Sequence, residues 1–219
     1  MTVLAHDLDA PLSTVMREGS QAEHTAAEGS SFMTELLAGR INEVGYAAYL
    51  LRLRQVYAAL EATARALSAE PAVAAVSDPA LERLDAIDAD LAHWAPGTTS
   101  VDSPAAAAYA ERIASATAWA PLFVAHHYTR YLGDLSGGQA IGRILSREFD
   151  LVDGVGVAFY DFAEIPKPKP YKDGYRARLD GLALTAAEKA RVVDEVKVAF
   201  TLNQALFAEL SADLERYRR

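Results

Sequence analysis

Residues 131–142 read YLGDLSGGQAIG, a stretch with four glycines whose flanks have the spacing of a helix. The glycines are Gly133, Gly137, Gly138 and Gly142. In a helix interior each glycine costs about 1 kcal/mol relative to alanine, so four cost about 4 kcal/mol. A whole domain is stable by only about 5–15 kcal/mol. The glycines therefore call for a structural or functional reason.

Helical patterns cover most of the chain on both sides of this stretch. The chain has 219 residues, and 51% of them are hydrophobic, which is enough to bury a sizeable core. Alanine, leucine, glutamate and arginine are frequent, and this composition favours helix. We expect one all-α domain over residues 1–219, with about eight helices. Apolar spacing places these helices at about 9–29, 31–38, 42–67, 78–93, from 104, 117–149, 171–182 and 185–216.

Several helix starts are marked by their first residues. Asp78-Pro79 and Ser103-Pro104 each combine an N-cap residue with a proline at the first helical position. Thr185 and Glu188 have the spacing of a capping box. Residues 150–170 contain aromatic residues and three prolines, which predicts an ordered loop.

The composition excludes several classes of function. A net charge of −9 argues against a nucleic-acid partner. The absence of cysteine excludes disulfides, cysteine–zinc sites and thiol catalysis. The first residues do not resemble a signal peptide, and no apolar run is long enough to span a membrane. We therefore expect a cytoplasmic protein with no membrane segment.

Three explanations compete for the glycines. In the first, the pairs Gly133/Gly137 and Gly138/Gly142 let two helices cross closely. In the second, LSGGQ (135–139) is the signature of ABC-type ATPases, but such proteins also need a phosphate loop with a Gly-Lys pair, and this chain has none. In the third, a flat ligand lies against the backbone of a helix kinked at its glycines.

The third explanation requires a group on another helix that holds the ligand. His24 lies in the first predicted helix, with Glu28 four residues later on the same face. Glu28 can accept the Nδ1 proton and leave Nε2 for a metal, an arrangement typical of metal-binding histidines. A histidine on one helix and a glycine-kinked helix opposite it indicate a bound haem.

Blocks along nearly the whole chain resemble haem oxygenase. YTRYLGDLSGGQ (128–139) is similar to the distal-helix motif of that family, and HTAAE (24–28) to its proximal segment. Tyr57 within VYAALE, YKDGYRARL (171–179) and AFTLNQALF (199–207) follow in the family order. Twelve consecutive residues are a far more specific match than the five letters LSGGQ.

The resemblance implies an enzyme for which haem is both cofactor and substrate. Such enzymes cleave haem to biliverdin, CO and Fe²⁺, with O₂ and with electrons from a ferredoxin or an NAD(P)H-dependent reductase. The resemblance also implies that haem lies between a proximal N-terminal helix and the glycine-kinked distal helix. Because the chain has no flavin or iron–sulfur motif, we expect an external electron donor. Its docking surface is expected to include Lys167, Lys169, Lys172 and Arg178.

The resemblance assigns the catalytic positions on the distal side. Asp134 matches an aspartate that orders a network of water molecules. Arg130 and Tyr57 match further polar members of that network. Gly133 and Gly137 match glycines that let the helix backbone lie close to the distal face of haem.

The haem-binding positions also carry over by resemblance. His24 matches the proximal iron ligand, and Glu28 is its acidic neighbour. The positions that face the haem propionates are Arg17, Tyr128, Lys172 and Arg176.

One alternative remains open, and the remaining candidate residues are expected to have no catalytic role. A protein that only binds or carries haem could use the same scaffold, although a carrier has no need for Asp134 beside the glycines. The other histidines, His6, His93, His126 and His127, are expected to be structural or solvated. A serine nucleophile at Ser136 is disfavoured, because the stretch around it contains no histidine base.

Overall fold

The computed structural model describes residues 8–219, and the regular elements in this part are helical. The α-helices are α1 (Leu12–Gly19), α2 (Gln21–Glu28), α3 (Ser31–Leu37), α4 (Glu43–Ala66), α5 (Pro71–Ala74), α6 (Leu84–Trp94), α7 (Pro104–Ser115), α8 (Pro121–His127), α9 (Gln139–Glu148), α10 (Pro168–Asp180), α11 (Ala186–Ala212) and α12 (Leu214–Tyr217). The predicted all-α fold is confirmed. His6 lies outside the described residues.

Two long helices form the centre of the fold. Helix α4 has 24 residues and packs against α6 and α7, and α11 has 27 residues and packs against α2, α7 and α8. Full burial of one large apolar side chain stabilises a fold by about 1.5–3 kcal/mol. The fully buried side chains on these two helices include Tyr46, Leu50, Leu53, Val56, Tyr57, Leu60, Val192, Val196, Leu206 and Leu210. No helix in the described residues combines the length and apolar character needed to cross a membrane.

Two of the predicted helix starts are found as expected. Ser103 Oγ accepts the N–H of Ala106 at 3.1 Å, and Pro104 opens α7. Thr185 and Glu188 form the capping box that opens α11. Both starts depend on contacts within four residues, so the sequence alone could predict them.

The helix predicted over about 78–93 is divided in two. Asp78 caps only a single 3₁₀ turn, Pro79–Leu81, and α6 begins separately at Leu84. The carboxylate of Glu61, on α4, accepts the N–H groups of Arg83 and Leu84, each at 2.8 Å. Because this cap comes from a distant helix, the local pattern could not reveal it.

The helix predicted over about 9–29 is also divided, at Ser20. The backbone of Ser20 leaves the helical conformation (φ −120°, ψ 13°), and its hydroxyl donates to the carbonyl of Met16 at 2.8 Å. This bond competes with the helical pattern, as serine hydroxyls do within helices. The break gives α2, which carries His24, an orientation independent of α1. The last predicted helix is likewise divided, because α11 ends at Ala212 and α12 follows it.

The helix predicted over about 117–149 changes its pitch where the glycines lie. Two five-residue π-helical turns, Tyr128–Leu132 and Asp134–Gly138, separate α8 from α9. Here we call residues 128–138 the distal segment. A π turn is rare and is frequently found at functional sites.

Packing explains two of the four glycines. A Cβ atom on Gly138 would lie 2.9 Å from Tyr160 Cδ1, and one on Gly142 would lie 3.1 Å from Tyr160 Cβ. Tyr160 belongs to a one-turn 3₁₀ helix, Ala158–Tyr160, within the predicted loop. Close approach therefore accounts for this pair, although the partner is an aromatic ring rather than a second helix. Gly133 and Gly137 have no such neighbour.

The adjacent histidines of α8 are buried, as expected of structural histidines. His127 Nδ1 lies 2.8 Å from Tyr175 Oη, and the two rings stack. His126 Nε2 lies 2.8 Å from Glu195 Oε1. Burial raises the pKa of Glu195, but hydrogen bonds with His126 and Arg112 outweigh it and hold the pKa at about 2.

Replacement of His127 is expected to weaken the loss of stability on acidification. Burial, followed by the charge of Arg178, lowers the pKa of His127 from 6.5 to about 3. Below pH 6.5 the unfolded chain binds this proton and the folded protein does not. Stability is therefore lost as the pH falls from 6.5 toward 3. The slope reaches about 1.4 kcal/mol per pH unit, and it should be missing in urea unfolding of a His127→Gln variant.

The stabilities of wild type and His127→Gln are best compared between pH 4.5 and 6.5. The titration of Glu195 changes the stability mainly below this range. Burial raises the pKa of Asp90 from 3.8 to about 6, so the folded protein takes up that proton first. This uptake adds stability as the pH falls, but it is common to both proteins and cancels in their difference. Equal slopes in wild type and variant would contradict the assignment.

Candidate functional site

A cleft lies between α2 on one side and the distal segment on the other. Its outer part has a volume of about 340 Å³, and an adjoining inner compartment has about 140 Å³. His24, Gly133 and Gly137 line both parts, so the two are continuous. The outer part alone is within the range of about 300–1,000 Å³ that is usual for small-molecule sites.

His24 projects into the cleft from α2. Its Nδ1 lies 3.6 Å from Glu28 Oε2, and its ring meets the edge of the Phe200 ring at a centroid distance of 5.4 Å. A hydrogen bond of 3.1 Å from Gln204 Nε2 to the Glu23 carbonyl ties α2 to α11. Among the described residues nothing bonds to Nε2, so this nitrogen can coordinate a metal.

Gly133 and Gly137 form the opposite wall of the cleft. A Cβ atom built on either glycine has no heavy atom within 4 Å, because it would project into open space. These two glycines are therefore explained by the cleft, whereas Gly138 and Gly142 are explained by Tyr160.

Asp134 lies at the centre of a buried polar cluster beside the glycines. Tyr57 donates its hydroxyl proton to Asp134 Oδ2, and Arg130 Nη2 donates to Oδ1 at 3.3 Å. Arg130 also donates from Nε to Tyr57 Oη at 3.3 Å and from Nη1 to Asn203 Oδ1 at 2.8 Å. Asp134 lines the inner compartment, so the cluster connects the cleft to the core.

Burial and mutual charge set the protonation of this cluster. Burial raises the pKa of Asp134, and Arg130 and the Tyr57 hydrogen bond oppose that rise. Burial disfavours the charge of Arg130, but Tyr57 and Asp134 outweigh it and raise the pKa of Arg130. Burial also raises the pKa of Tyr57 well above its ordinary value, so the hydroxyl stays protonated as a donor.

Cationic side chains surround the mouth of the cleft. Arg17, Tyr128 and Arg176 line its outer part. Lys172 reaches across from α10, and its Nζ donates to Ser136 Oγ at 2.9 Å. Burial, followed by the charge of Arg176, lowers the pKa of Lys172. Like charges held this close favour an anionic ligand at the mouth.

Most of the predicted site residues line this cleft. Tyr57 lies behind Asp134 in the core, and Lys172 reaches the mouth through Ser136. The structure also adds residues that sequence reasoning did not single out. Phe200 and Asn203 lie on one face of α11, and Thr129 lies in the distal segment beside Arg130. Asn203 belongs to AFTLNQALF, a block to whose individual residues the family resemblance assigns no role. Because Phe200 and Asn203 are three residues apart in a predicted helix, they lie on the same face, and this spacing could have identified both.

Alanine at two adjacent glycines is expected to have opposite effects on stability. A methyl group at Gly137 meets no atom within 4 Å, so Gly137→Ala should stabilise the ligand-free protein by about 0.4–1 kcal/mol. A methyl group at Gly138 collides with the Tyr160 ring at 2.9 Å, so Gly138→Ala should destabilise it by about 1–3 kcal/mol. Urea unfolding of the two variants measures both effects. Equal changes would show that the two glycines do not differ in their surroundings.

Comparison with known proteins agrees with this geometry. Residues 10–209 match the family model described as "Heme oxygenase". Heme oxygenase 1 of Nostoc sp. is 37% identical over 207 residues, which cover 93% of this chain and 87% of that protein. Heme oxygenase 1 of Homo sapiens is 38% identical over 205 residues, which cover 91% and 71%.

A solved structure shares the fold as well. Heme oxygenase-1 from the cyanobacterium Synechocystis sp., in complex with heme, has a TM-score of 0.89 and 35% identity. The match covers 94% of this chain and 95% of that one. The chain belongs to the haem oxygenase family.

Proposed function

We propose that this protein is a haem oxygenase, which cleaves haem to biliverdin, CO and Fe²⁺ with O₂ and electrons from an external donor. One observation carries the proposal. His24 faces the bare backbone of Gly133 and Gly137 across one cleft, with the buried Asp134 cluster beside them.

The residues around the cleft fit haem. A flat macrocycle needs a slot with a metal ligand on one face and little side-chain bulk on the other. Here His24 supplies the ligand, and the two glycines leave the opposite wall without Cβ atoms. When bound, haem supplies both the iron that activates O₂ and the macrocycle that is cleaved. Residues 1–219 would make up a single haem oxygenase domain.

His24 would bind the iron through Nε2, and Glu28 would hold the ring through Nδ1. An acidic partner of this kind orients a metal-binding imidazole and makes it more basic. A neutral imidazole pushes electron density toward the iron less strongly than a thiolate does, which disfavours O–O cleavage. This property suits an enzyme that oxidises the macrocycle of its bound haem.

Asp134 would order water in the inner compartment and exchange protons with it. Its carboxylate is held from two sides by Tyr57 and Arg130. Because burial raises its pKa, it can take up and release a proton more readily than an exposed aspartate at neutral pH. Tyr57 and Arg130 position this carboxylate, and the dipoles around it are set before the reaction begins.

The cations at the mouth would hold the two propionates. Arg17 and Arg176 can each form paired hydrogen bonds with a carboxylate, whereas Lys172 acts as a point charge. Tyr128 would donate its hydroxyl to the same group. Neutralisation by the propionates would relieve the repulsion between Lys172 and Arg176.

A ferredoxin or an NAD(P)H-dependent reductase would supply the electrons. Lys172 reaches the mouth of the cleft, and Lys167, Lys169 and Arg178 lie on or beside the same helix, α10. Together they would contact an acidic donor. Since such contacts are screened by salt, the rate with the donor should fall as ionic strength rises.

The rival is a haem carrier without activity. The Asp134 cluster disfavours it, because simple binding does not require a buried carboxylate with two positioning partners. In the test, the protein is mixed with haem, reductant and O₂ in the presence of catalase, which removes peroxide-driven haem loss. We expect the Soret band to decline while biliverdin and CO appear. A Soret band that persists without either product would leave the carrier as the correct function.

A further inference from the structure

Asp90 is a buried carboxylate that the proposed reaction does not use. It lies on α6 and is fully shielded from solvent. Among the described residues no lysine or arginine forms an ion pair with it, and burial raises its pKa to about 6. A buried carboxylate without a cationic partner is costly unless hydrogen bonds satisfy it. The groups that satisfy this carboxylate therefore indicate what it does.

Asp90 holds one short turn of the chain. Oδ1 accepts the N–H of Ala158 at 2.8 Å, and Oδ2 accepts the N–H of Phe159 at 2.9 Å. These donors open the 3₁₀ turn Ala158–Tyr160 in the loop between α9 and α10. Trp94, also on α6, donates to the Gly156 carbonyl at 2.7 Å. Helix α6 therefore fixes this loop at two points.

The turn meets the distal cluster at two places. The Phe159 ring packs edge-on against the Tyr57 ring at a centroid distance of 5.4 Å, and Tyr57 donates to Asp134. The Tyr160 side chain packs against Gly138 and Gly142, where a Cβ atom would lie 2.9 Å from its Cδ1 and 3.1 Å from its Cβ. Tyr160 also lines the inner compartment together with Asp134.

We propose that Asp90 is a positioning residue for the distal side of the cleft. By fixing the turn Ala158–Tyr160, Asp90 determines the position of the Tyr57 ring. It also determines how close the backbone of Gly138 and Gly142 lies to the cleft. The place of the Asp134 carboxylate opposite His24 follows from these two contacts. The catalytic part of this inference rests on the proposed function, but the structural part does not.

The test compares Asp90→Asn with Asp88→Asn. Asp88 is on the same helix, but it is partly exposed and pairs with Arg54. Asparagine at position 90 can accept only one of the two N–H groups. Hydrogen exchange of the haem-free protein should therefore accelerate about tenfold within residues 134–142 of Asp90→Asn, the effect of one lost hydrogen bond. Exchange should also accelerate in the turn Ala158–Tyr160, where the hydrogen bond is lost. In the rest of the described residues exchange should be unchanged, and Asp88→Asn should match the wild type throughout.

With haem, reductant and O₂, Asp90→Asn should lower kcat about tenfold and leave the Kd for haem unchanged. Exchange that is uniformly faster in Asp90→Asn, or unchanged within 134–142, would overturn the inference. A wild type that makes no biliverdin would instead refute the proposed function, and the exchange data would still decide the role of Asp90.

A second variant covers the case in which Asp90→Asn does not fold. Phe159→Leu keeps both hydrogen bonds to Asp90 and removes the ring that packs against Tyr57. It should accelerate exchange in the same segment, 134–142. If exchange there is unaffected, the link from the turn to the distal cluster is refuted.

Discussion

Replacement of His24 by alanine is expected to reduce biliverdin formation by more than about 100-fold, while the protein stays folded. Loss of a residue that merely supports a metal ligand costs about 10–100-fold, and loss of the ligand itself should cost more. The side chain of His24 is 46% exposed, so its removal leaves no buried cavity. The melting temperature of the haem-free variant should therefore match that of the wild type.

Added imidazole should restore part of the activity of His24→Ala. The deleted side chain borders an open cleft, so imidazole can enter the space it leaves. Haem absorption spectra should show the ligand lost and then regained. The matched control is His93→Ala, at an exposed histidine of α6 that does not line the cleft. Wild-type turnover of His24→Ala without imidazole would contradict the assignment of the iron ligand.

Replacement of Asp134 by asparagine is expected to lower kcat by about 10²–10³-fold. Removal of one preorganised polar group beside developing charge costs about this much in other enzymes. Asparagine has nearly the same shape, but it carries no charge and cannot accept from both Tyr57 and Arg130 as the carboxylate does. The Kd for haem should change little, because Asp134 lies in the inner compartment and not at the mouth. Single-turnover kinetics and a haem titration separate the two effects.

The same variant should also be less stable. Arg130 is buried, and removal of its anionic partner leaves an uncompensated charge, which costs about 3–5 kcal/mol. Turnover must therefore be measured well below the melting temperature of the variant. Asp194→Asn, at an exposed carboxylate of α11, is the control for both measurements. Unchanged kcat in folded Asp134→Asn would remove this carboxylate from the reaction.

Contacts within one helix turn account for what the sequence could predict about the site. His24 and Glu28 are four residues apart on α2, and their side chains face each other as expected. Arg130 and Asp134 have the same spacing in the distal segment and form an ion pair. Such pairs follow from the local geometry of a helix, in which side chains four residues apart are neighbours. The family motif covered these positions as well.

The course of the helices was predictable only in part. The composition and the apolar spacing determined that the chain is helical. The breaks at Ser20 and before α6 depend on hydrogen bonds that compete with the helix or come from another element. The two glycine pairs have identical spacing but different surroundings. Gly138 and Gly142 pack against Tyr160, whereas Gly133 and Gly137 face an open cleft. The spacing does not distinguish them, because both pairs would be small residues on one helical face; only the family resemblance singled out Gly133 and Gly137.

The helical class and the family followed from the sequence alone, and the family motif predicted which residues would face a ligand. These features depend on local spacing and on motifs that are continuous in the chain. How the distal cluster is held became visible only in the packed fold, because its members are far apart in sequence. Tyr57 and Asp134 are separated by 77 residues, and Arg130 and Asn203 by 73. Contacts over such separations arise from the packing of whole helices, which no local pattern encodes.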